Sequence, residues 1–333
     1  LGPGSGEGET LVRGSLTAAP LAVGSEGCPA VLLRNGRPLS LPPVTRHVEV
    51  GKGRQAARFR RVTGRGELDV WLLDELFGRE ELRRLVKLCE ARSGFQPSLQ
   101  TSRTGQQVQD GRRTSHSCAV HWPMLFGGNL EELQERGLDL DVLAELKAAQ
   151  EISEVCARAV GVDVSHIEPL QLVKYTPGQF YRAHMDTHKE PDRLSSHMGE
   201  QRTHTLLVFV VDVPADDGGG YLHFPRLGLR ILPRAGWAVL WRNVHAEDGK
   251  IDAESLHEGE PPLHADKVAM NVWISDRPFT KELVEEGRLR KQRLAREAEE
   301  RAAKEAPAPK QEPMLLRKLR QWQEEQEERT GDG

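Results

Sequence analysis

THTLLVFVVDVPADDGGGYLHFPRLGLRILPRAGWAVLW, residues 203–241, decides the fold. It opens with a β-branched apolar run, THTLLVFVVDVP (203–214), long enough to cross the middle of a sheet. GYLHFP (220–225), GLRILP (228–233) and GWAVLW (236–241) follow in quick succession, with Gly and Pro between them. Short strands at close spacing, separated by turn residues, predict a sandwich or barrel. The pattern extends outward on both sides. PLQLVKY (169–175) alternates ahead of the quoted stretch, and KVAMNVWISD (267–276) closes the series.

Two helical patterns precede the strands. Within LDVWLLDELFGREELRRLVKLCEARSG (68–94), Leu82, Leu85, Val86, Leu88 and Cys89 recur on a helical period that Gly94 ends. Residues 139–161 place Val142, Leu143, Leu146, Ile152, Val155, Cys156 and Val160 on one side, with Gly161 as the stop. Helices ahead of a β unit make the domain α+β, with the helices packed on one sheet face. Residues 1–67 begin with flexible LGPGSGEG and then mix short apolar runs with Gly, Pro and Arg; both a small β appendage and a loosely held arm fit this segment. From Thr280 the composition becomes highly charged, with opposite charges four residues apart, so 281–333 reads as an exposed helical tail broken by APAPKQEP. Leu315, Leu316, Leu319 and Trp322 in that tail suggest a possible protein partner. The expected organisation is therefore 1–67, then a domain over 68–280, then the tail.

Of 333 residues, 46 are Lys or Arg and 50 are Asp or Glu, a net charge of −4. That balance gives no electrostatic reason to expect a nucleic-acid partner. The basic run Arg54, Arg58, Arg60 and Arg61 reads as a solvated surface segment. Cys28, Cys89, Cys118 and Cys156 form no C-x-x-C pair, which argues against a zinc knuckle; Cys89 and Cys156 read as buried thiols. No apolar run reaches the length of a transmembrane helix, so the chain as given reads as soluble. It begins on Leu, as a processed chain or fragment would, and a cytoplasmic setting and a secretory-pathway lumen both stay open.

The chemistry lies in two segments. LVKYTPGQFYRAHMDTH (172–188) places His184 and Asp186 two residues apart, so that extended backbone points both side chains the same way. Alone, such a triplet carries little weight. SLHEGEPPLHADKVAMNVWISD (255–276) adds His257 at a strand end, a Gly-Pro-Pro turn, and Lys267 on a returning strand, which is expected to neighbour that of His257. Two imidazoles and one carboxylate on one face form the ligand set of non-haem Fe(II) oxygenases, with three positions open for an α-keto acid and O₂. A dicarboxylate co-substrate also needs a cation at its far end, which Lys267 supplies.

The ordered set of landmarks goes further. Tyr175 precedes His184-Met185-Asp186; Arg202 and Thr205 lead an apolar strand; Gly219-Gly220 runs to Phe224-Pro225. Pro233, Gly236 and Ala238 follow, then Ser255-Leu256-His257, Lys267, Asn271 and Trp273, with Arg113-Thr114-Ser115 and EPLQLVKY (168–175) upstream. Over roughly residues 68–280 this set resembles the catalytic domain of prolyl 4-hydroxylases, within the 2-oxoglutarate and Fe(II)-dependent dioxygenase superfamily. The resemblance implies a double-stranded β-helix, a distorted jelly roll. It implies that His184, Asp186 and His257 hold Fe(II) and that Lys267 grips the distal carboxylate of 2-oxoglutarate, with Tyr175 hydrogen-bonding the same co-substrate. Thr205 and Trp273 would line the pocket. It further implies ascorbate as reductant and O₂-dependent hydroxylation of a peptide or protein substrate, with release of succinate and CO₂. A prolyl residue is the expected target. Fold relatives act on other residues and on small molecules, and a catalytically silent β-helix binding module is the alternative from another class. Two features depart from the family pattern. Tyr221 and Leu222 replace an acidic–Thr pair, and His188 adds a further imidazole, expected at the pocket rim or surface.

Overall fold

A computed structural model of the chain describes residues 31–92, 94–101, 107–108, 111–120, 123, 128–187 and 201–280, and part of 282–300. The first two strands, β1 (Leu32–Arg34) and β2 (Arg37–Leu39), form a hairpin. Its two-residue turn is Asn35-Gly36, and both residues take positive φ (49° and 75°), as the tightest hairpin turns require. β3 (Arg46–Val48), β4 (Ala57–Arg61) and β5 (Val70–Asp74) run as antiparallel neighbours into α1 (Arg79–Arg92). Short β6 (Gln96–Pro97), β7 (Gln100–Thr101) and β8 (Gln107–Val108) lead to β9 (His116–Val120). Then come α2 (Leu130–Glu135) and α3 (Leu140–Val160). Asp139 caps α3 by accepting from the amides of Asp141 and Val142, and Gly161 ends it in the left-handed region at φ 84°. The remaining strands are β10 (Leu170–Tyr175), β11 (Tyr181–His184), β12 (Arg202–Phe209), β13 (Leu222–Phe224), β14 (Leu229–Ile231), β15 (Ala238–Arg242), β16 (His257–Gly259) and β17 (Lys267–Ser275).

Two antiparallel sheets face each other, in keeping with a β-helix core. The larger has nine strands in the order β3-β4-β5-β15-β12-β17-β10-β9-β6, with β12 at its centre. The smaller has six, in the order β11-β16-β13-β14-β1-β2. The large sheet is covered on both sides, and this is why its central strands read as unbroken apolar runs. Leu206 and Val208 of β12 pack with Leu82, Leu85, Ile152 and Val155 of the helices. Leu207 and Phe209 face Phe224, Leu229 and Ile231 of the small sheet. In the small sheet two strands alternate: Leu222 and Phe224 point in, as do Leu229 and Ile231, while the half-buried His223 and Arg230 lie on the other face.

Four sequence expectations change here. Residues 31–66 are not an appendage: β1 pairs with β14 in the small sheet, and β4 and β5 extend the large one through β15. Short strands rich in Arg hide this role because their partners come from far along the chain. Cys89 is buried but is no thiol; it is joined to Cys118 on β9, with Cα atoms 6.4 Å apart, which fastens α1 to the sheet edge. Cys156 is the free buried cysteine among the described residues. The basic run lies at the surface, partly exposed, but it is paired: Arg54 with Glu81, Arg58 with Glu75, Arg60 with Asp74 and Arg61 with Asp69. Finally, β16 and β17 are not neighbours but belong to opposite sheets, because the Pro261–Lys267 connection crosses the sandwich instead of turning back within one sheet.

Contact clustering separates residues 286–333 as a second unit, and its described positions are helical. The partner-binding expectation for Leu315, Leu316, Leu319 and Trp322 lies outside the described residues. Among those described, no helix is long and apolar enough to cross a membrane.

Candidate metal centre

β11 and β16 are paired so that His184 lies directly opposite His257. Asp186 follows His184 by two residues, and one ligand atom from each of the three side chains lies within 4.8 Å of the others. His184 Nε2 is 3.6 Å from Asp186 Oδ1, and His257 Nε2 is 3.7 Å from Asp186 Oδ2. Both rings are held from behind. His184 Nδ1 donates to the Arg182 carbonyl at 2.8 Å, and His257 Nδ1 donates to the Ser255 carbonyl at 2.9 Å. These bonds place the ring protons on Nδ1 and turn both Nε2 lone pairs toward the carboxylate.

The walls are aromatic. Tyr181 stacks on His184 with centroids 3.4 Å apart, and Trp241 meets His257 edge-on at 4.8 Å. Burial, with His184 close by, pushes the His257 imidazole down to about 4, so it is neutral and able to bind a cation at neutral pH. Burial alone would raise the Asp186 carboxyl, but the facing His257 and His184 hold it far below the usual carboxylate range. A fixed anion and two imidazoles at one point, each buried or nearly so, fit one divalent cation.

A second group of side chains lies along the interior from this point. Tyr175 on β10 and Lys267 on β17 are cross-strand partners. The Lys267 ammonium is buried, lies 5.1 Å from the Tyr175 ring centroid and donates to the Tyr221 carbonyl at 3.0 Å. No carboxylate among the described residues pairs with it, and burial pushes it down to about 7. Burial likewise pushes the Tyr175 phenol up to about 12. Gly259, two residues beyond His257 on β16, leaves the space between them open: a Cβ there would lie 3.2 Å from Tyr175 Oη and 3.6 Å from Lys267 Nζ. Gly259 thus sets Tyr175 and Lys267 against β16 two residues beyond His257, about 7 Å along the strand.

The other expected residues occupy distinct places. Thr205 does not merely line the pocket, since its hydroxyl donates to Asp186 Oδ2 at 2.7 Å. Trp273 lies opposite Thr205 in register, and its ring is covered by the Arg202 guanidinium at 3.6 Å, itself bound to Glu168 at 2.8 and 2.7 Å. His188 lies outside the described residues. His245 pairs with Asp252, away from the triad, and the backbone of His264 donates to Asp217. The upstream landmark Arg113 also lies beside this site. Arg113 is buried, bonds Ser115 and Gln171, and lies 4.7 Å from the Tyr181 ring centroid. Among residues the sequence did not single out, Tyr181 and Trp241 flank the two imidazoles and Asn243 follows β15; none carried a sequence signal beyond its place in or beside a strand.

Residues 170–275, which hold the triad, Tyr175 and Lys267, match the 2OG-Fe(II) oxygenase superfamily. A putative prolyl 4-hydroxylase of Acanthamoeba polyphaga mimivirus is 30% identical over 132 residues, 39% of this chain and 53% of the relative. The human prolyl 4-hydroxylase subunit alpha-1 is 35% identical over 119 residues, 35% of this chain and 22% of the relative. The chain carries a prolyl 4-hydroxylase-like 2OG-Fe(II) oxygenase domain. The match spans about half the length of the viral relative and about a fifth of the human one. Among solved structures, the viral collagen prolyl hydroxylase from Paramecium bursaria Chlorella virus-1, in its 2OG complex, aligns with a TM-score of 0.43 and 20% identity. That alignment covers 63% of this chain and 97% of the other. The matched segment 170–275 contains His184, Asp186 and His257 as well as Tyr175 and Lys267.

Proposed function

We propose that this chain is an Fe(II)- and 2-oxoglutarate-dependent dioxygenase that hydroxylates a prolyl residue in a peptide or protein, with release of succinate and CO₂. One observation carries the reading. Two imidazoles and a carboxylate meet at a point, and a buried ammonium without a carboxylate partner among the described residues lies against Gly259, two residues beyond His257 on the same strand. The prolyl and peptide part of the reading draws on the printed names of the relatives, which this chain matches over half their length or less.

In this reading His184, Asp186 and His257 hold the iron, which when bound supplies O₂ activation coupled to decarboxylation of 2-oxoglutarate. The protein's own part is to bind, orient and exclude water. The backbone carbonyls of Arg182 and Ser255 fix the tautomers and aim of the two imidazoles. Lys267 receives the distal carboxylate, exchanging an unpaired buried charge for a paired one, and the Tyr175 hydroxyl donates beside it. Trp241, Phe224 and Tyr181 shield the imidazoles, keeping the reacting centre dry. Ascorbate serves as the reductant that keeps the iron ferrous. The tail over 281–333 is proposed as the contact for a protein partner; loss of binding on its deletion, with turnover retained, is the expected result.

The test is succinate formation from 2-oxoglutarate with Fe(II) and ascorbate, together with a one-oxygen mass gain on proline-containing peptides. Asp186→Ala removes the anionic ligand and is expected to abolish both signals. Near-normal hydroxylation in that variant sinks the iron assignment. Turnover with oxygen gained only at a non-prolyl position overturns the substrate and keeps the chemistry.

A further inference from the structure

Behind the triad lies a fully buried residue that reaches Asp186 through a neighbour. Asn243 continues the line of β15 and has no exposed surface. Its Nδ2 donates to Thr205 Oγ1 at 2.9 Å, and Thr205 Oγ1 donates to Asp186 Oδ2 at 2.7 Å. The order of these bonds is fixed by chemistry. A hydroxyl has one proton. With an amide N–H pointed at its oxygen, Thr205 spends that proton on Asp186. Were the amide reversed, its oxygen would compete for the proton and leave Thr205 and Asp186 facing each other through lone pairs. The Thr205 proton thereby points to Oδ2 and not to Oδ1, which makes the two carboxylate oxygens unequal as donors to a cation.

The backbone of Asn243 reaches the third ligand. Its N–H donates to the Thr203 carbonyl at 2.7 Å, which ties it to β12. Its carbonyl accepts from the Asp252 amide at 2.9 Å. Asp252 caps the turn Ala253–Ser255, accepting from Glu254 N at 3.0 Å, and Ser255 offers the carbonyl that orients His257. One buried residue thus joins the support of Asp186 to the support of His257.

We propose that Asn243 is a positioning residue: through Thr205 it limits Asp186 to one metal-binding oxygen, and through the Asp252 turn it sets His257 against that oxygen. The proposal rests on the iron reading above, and the test separates the two. Co(II) alone is titrated into the full chain and followed by its ligand-field absorption, without turnover. Thr205→Val and Asn243→Leu remove the relay at near-constant volume, and Thr205→Ser keeps the hydroxyl.

The two disruptive variants are expected to bind Co(II) roughly 10–100-fold more weakly. They are also expected to shift its absorption, as both carboxylate oxygens become available, while Thr205→Ser stays near wild type. Since both side chains act through one bond, the double variant is expected to be no weaker than Thr205→Val by more than about threefold. Unchanged Co(II) affinity and spectrum in Thr205→Val overturn the relay, whatever Asn243→Leu does to folding. Additive losses in the double variant overturn it as well, because they make the two side chains independent. A wild-type chain that takes no Co(II) sinks the iron reading itself.

Discussion

His184 and His257 are direct antiparallel partners on β11 and β16, with ring centroids 4.3 Å apart and planes at 55°. The spacing of two of the three proposed ligands is therefore set by strand pairing. The third, Asp186, depends on side-chain hydrogen bonding through Thr205. The consequences for experiment follow from how each supporting group is held.

Lys267 ties the site to pH. Its ammonium is lowered to about 7 from an ordinary 10.5 by burial. A depressed folded-state value means that the unfolded chain binds the extra proton between those limits. Stability is then expected to rise with pH from about 7 toward 10.5, by up to a few kcal/mol, and this slope is expected to vanish in Lys267→Met. Urea unfolding of both chains across that range measures it. In the same window the 2-oxoglutarate requirement is expected to climb as pH rises, since the neutral amine must first be protonated. Lys267→Ala is expected to raise that requirement roughly thirtyfold or more, the cost of about 2 kcal/mol for a lost buried charged partner. An unchanged requirement means that the lysine is no anchor.

Gly259 tests the proposed co-substrate site beside Tyr175 and Lys267. A Cβ there would crowd Tyr175 Oη at 3.2 Å and face Lys267 Nζ at 3.6 Å. Gly259→Val is expected to weaken 2-oxoglutarate binding roughly tenfold or more by filling that space. Co(II) affinity is expected to hold, because His257 is fixed by Ser255 and by its pairing with His184. Calorimetric titration of each ligand separates the two effects, and equal loss of both would show a general collapse of β16.

Asp217 holds the crossing between the sheets. Its carboxylate accepts from the amides of Leu263, His264 and Ala265 at 2.7, 2.9 and 2.8 Å, on the connection that carries the chain from His257 to Lys267. Burial alone would raise this carboxyl, but the amide donors hold it below the usual range, so its contribution is present at neutral pH and is lost as pH falls through the folded value. Asp217→Ala is expected to cost about 2–4 kcal/mol in denaturant unfolding at pH 7, from charge-accepting bonds left unmade. The difference from wild type should shrink on acidification; a constant difference would place the effect elsewhere.

The Cys89–Cys118 link closes a span of 29 residues between α1 and β9. Digestion without reductant is expected to yield one cross-linked peptide pair containing both. Cys89→Ser is expected to lower stability by about 3–4 kcal/mol on chain-entropy grounds. Two separate alkylatable thiols in protein purified without reductant would contradict the link.

Much of this site was legible before any coordinates. His184 and Asp186 share a face because extended backbone has a period of two, and the Ser255-Leu256-His257 segment with Lys267 stood out through its spacing. The central strand showed itself because β12 is buried on both faces and thus carries no polar alternation. What escaped notice depends on partners distant in sequence. β1 and β4 are short and Arg-rich, and only their pairing with β14 and β5 gives them a structural role.

By itself, then, the sequence determined which chemical groups are present and how neighbours along one strand are aimed, because those follow from local backbone geometry. It also marked the apolar runs that become strands and the glycines that end the helices. Tertiary structure alone decided that β16 and β17 face each other across the sandwich, that Cys89 meets Cys118, and that Asn243 stands behind two ligands at once. Each of these is a contact between residues far apart in the chain. Its formation is fixed by how two sheets bury their inner faces together, and no local period encodes that.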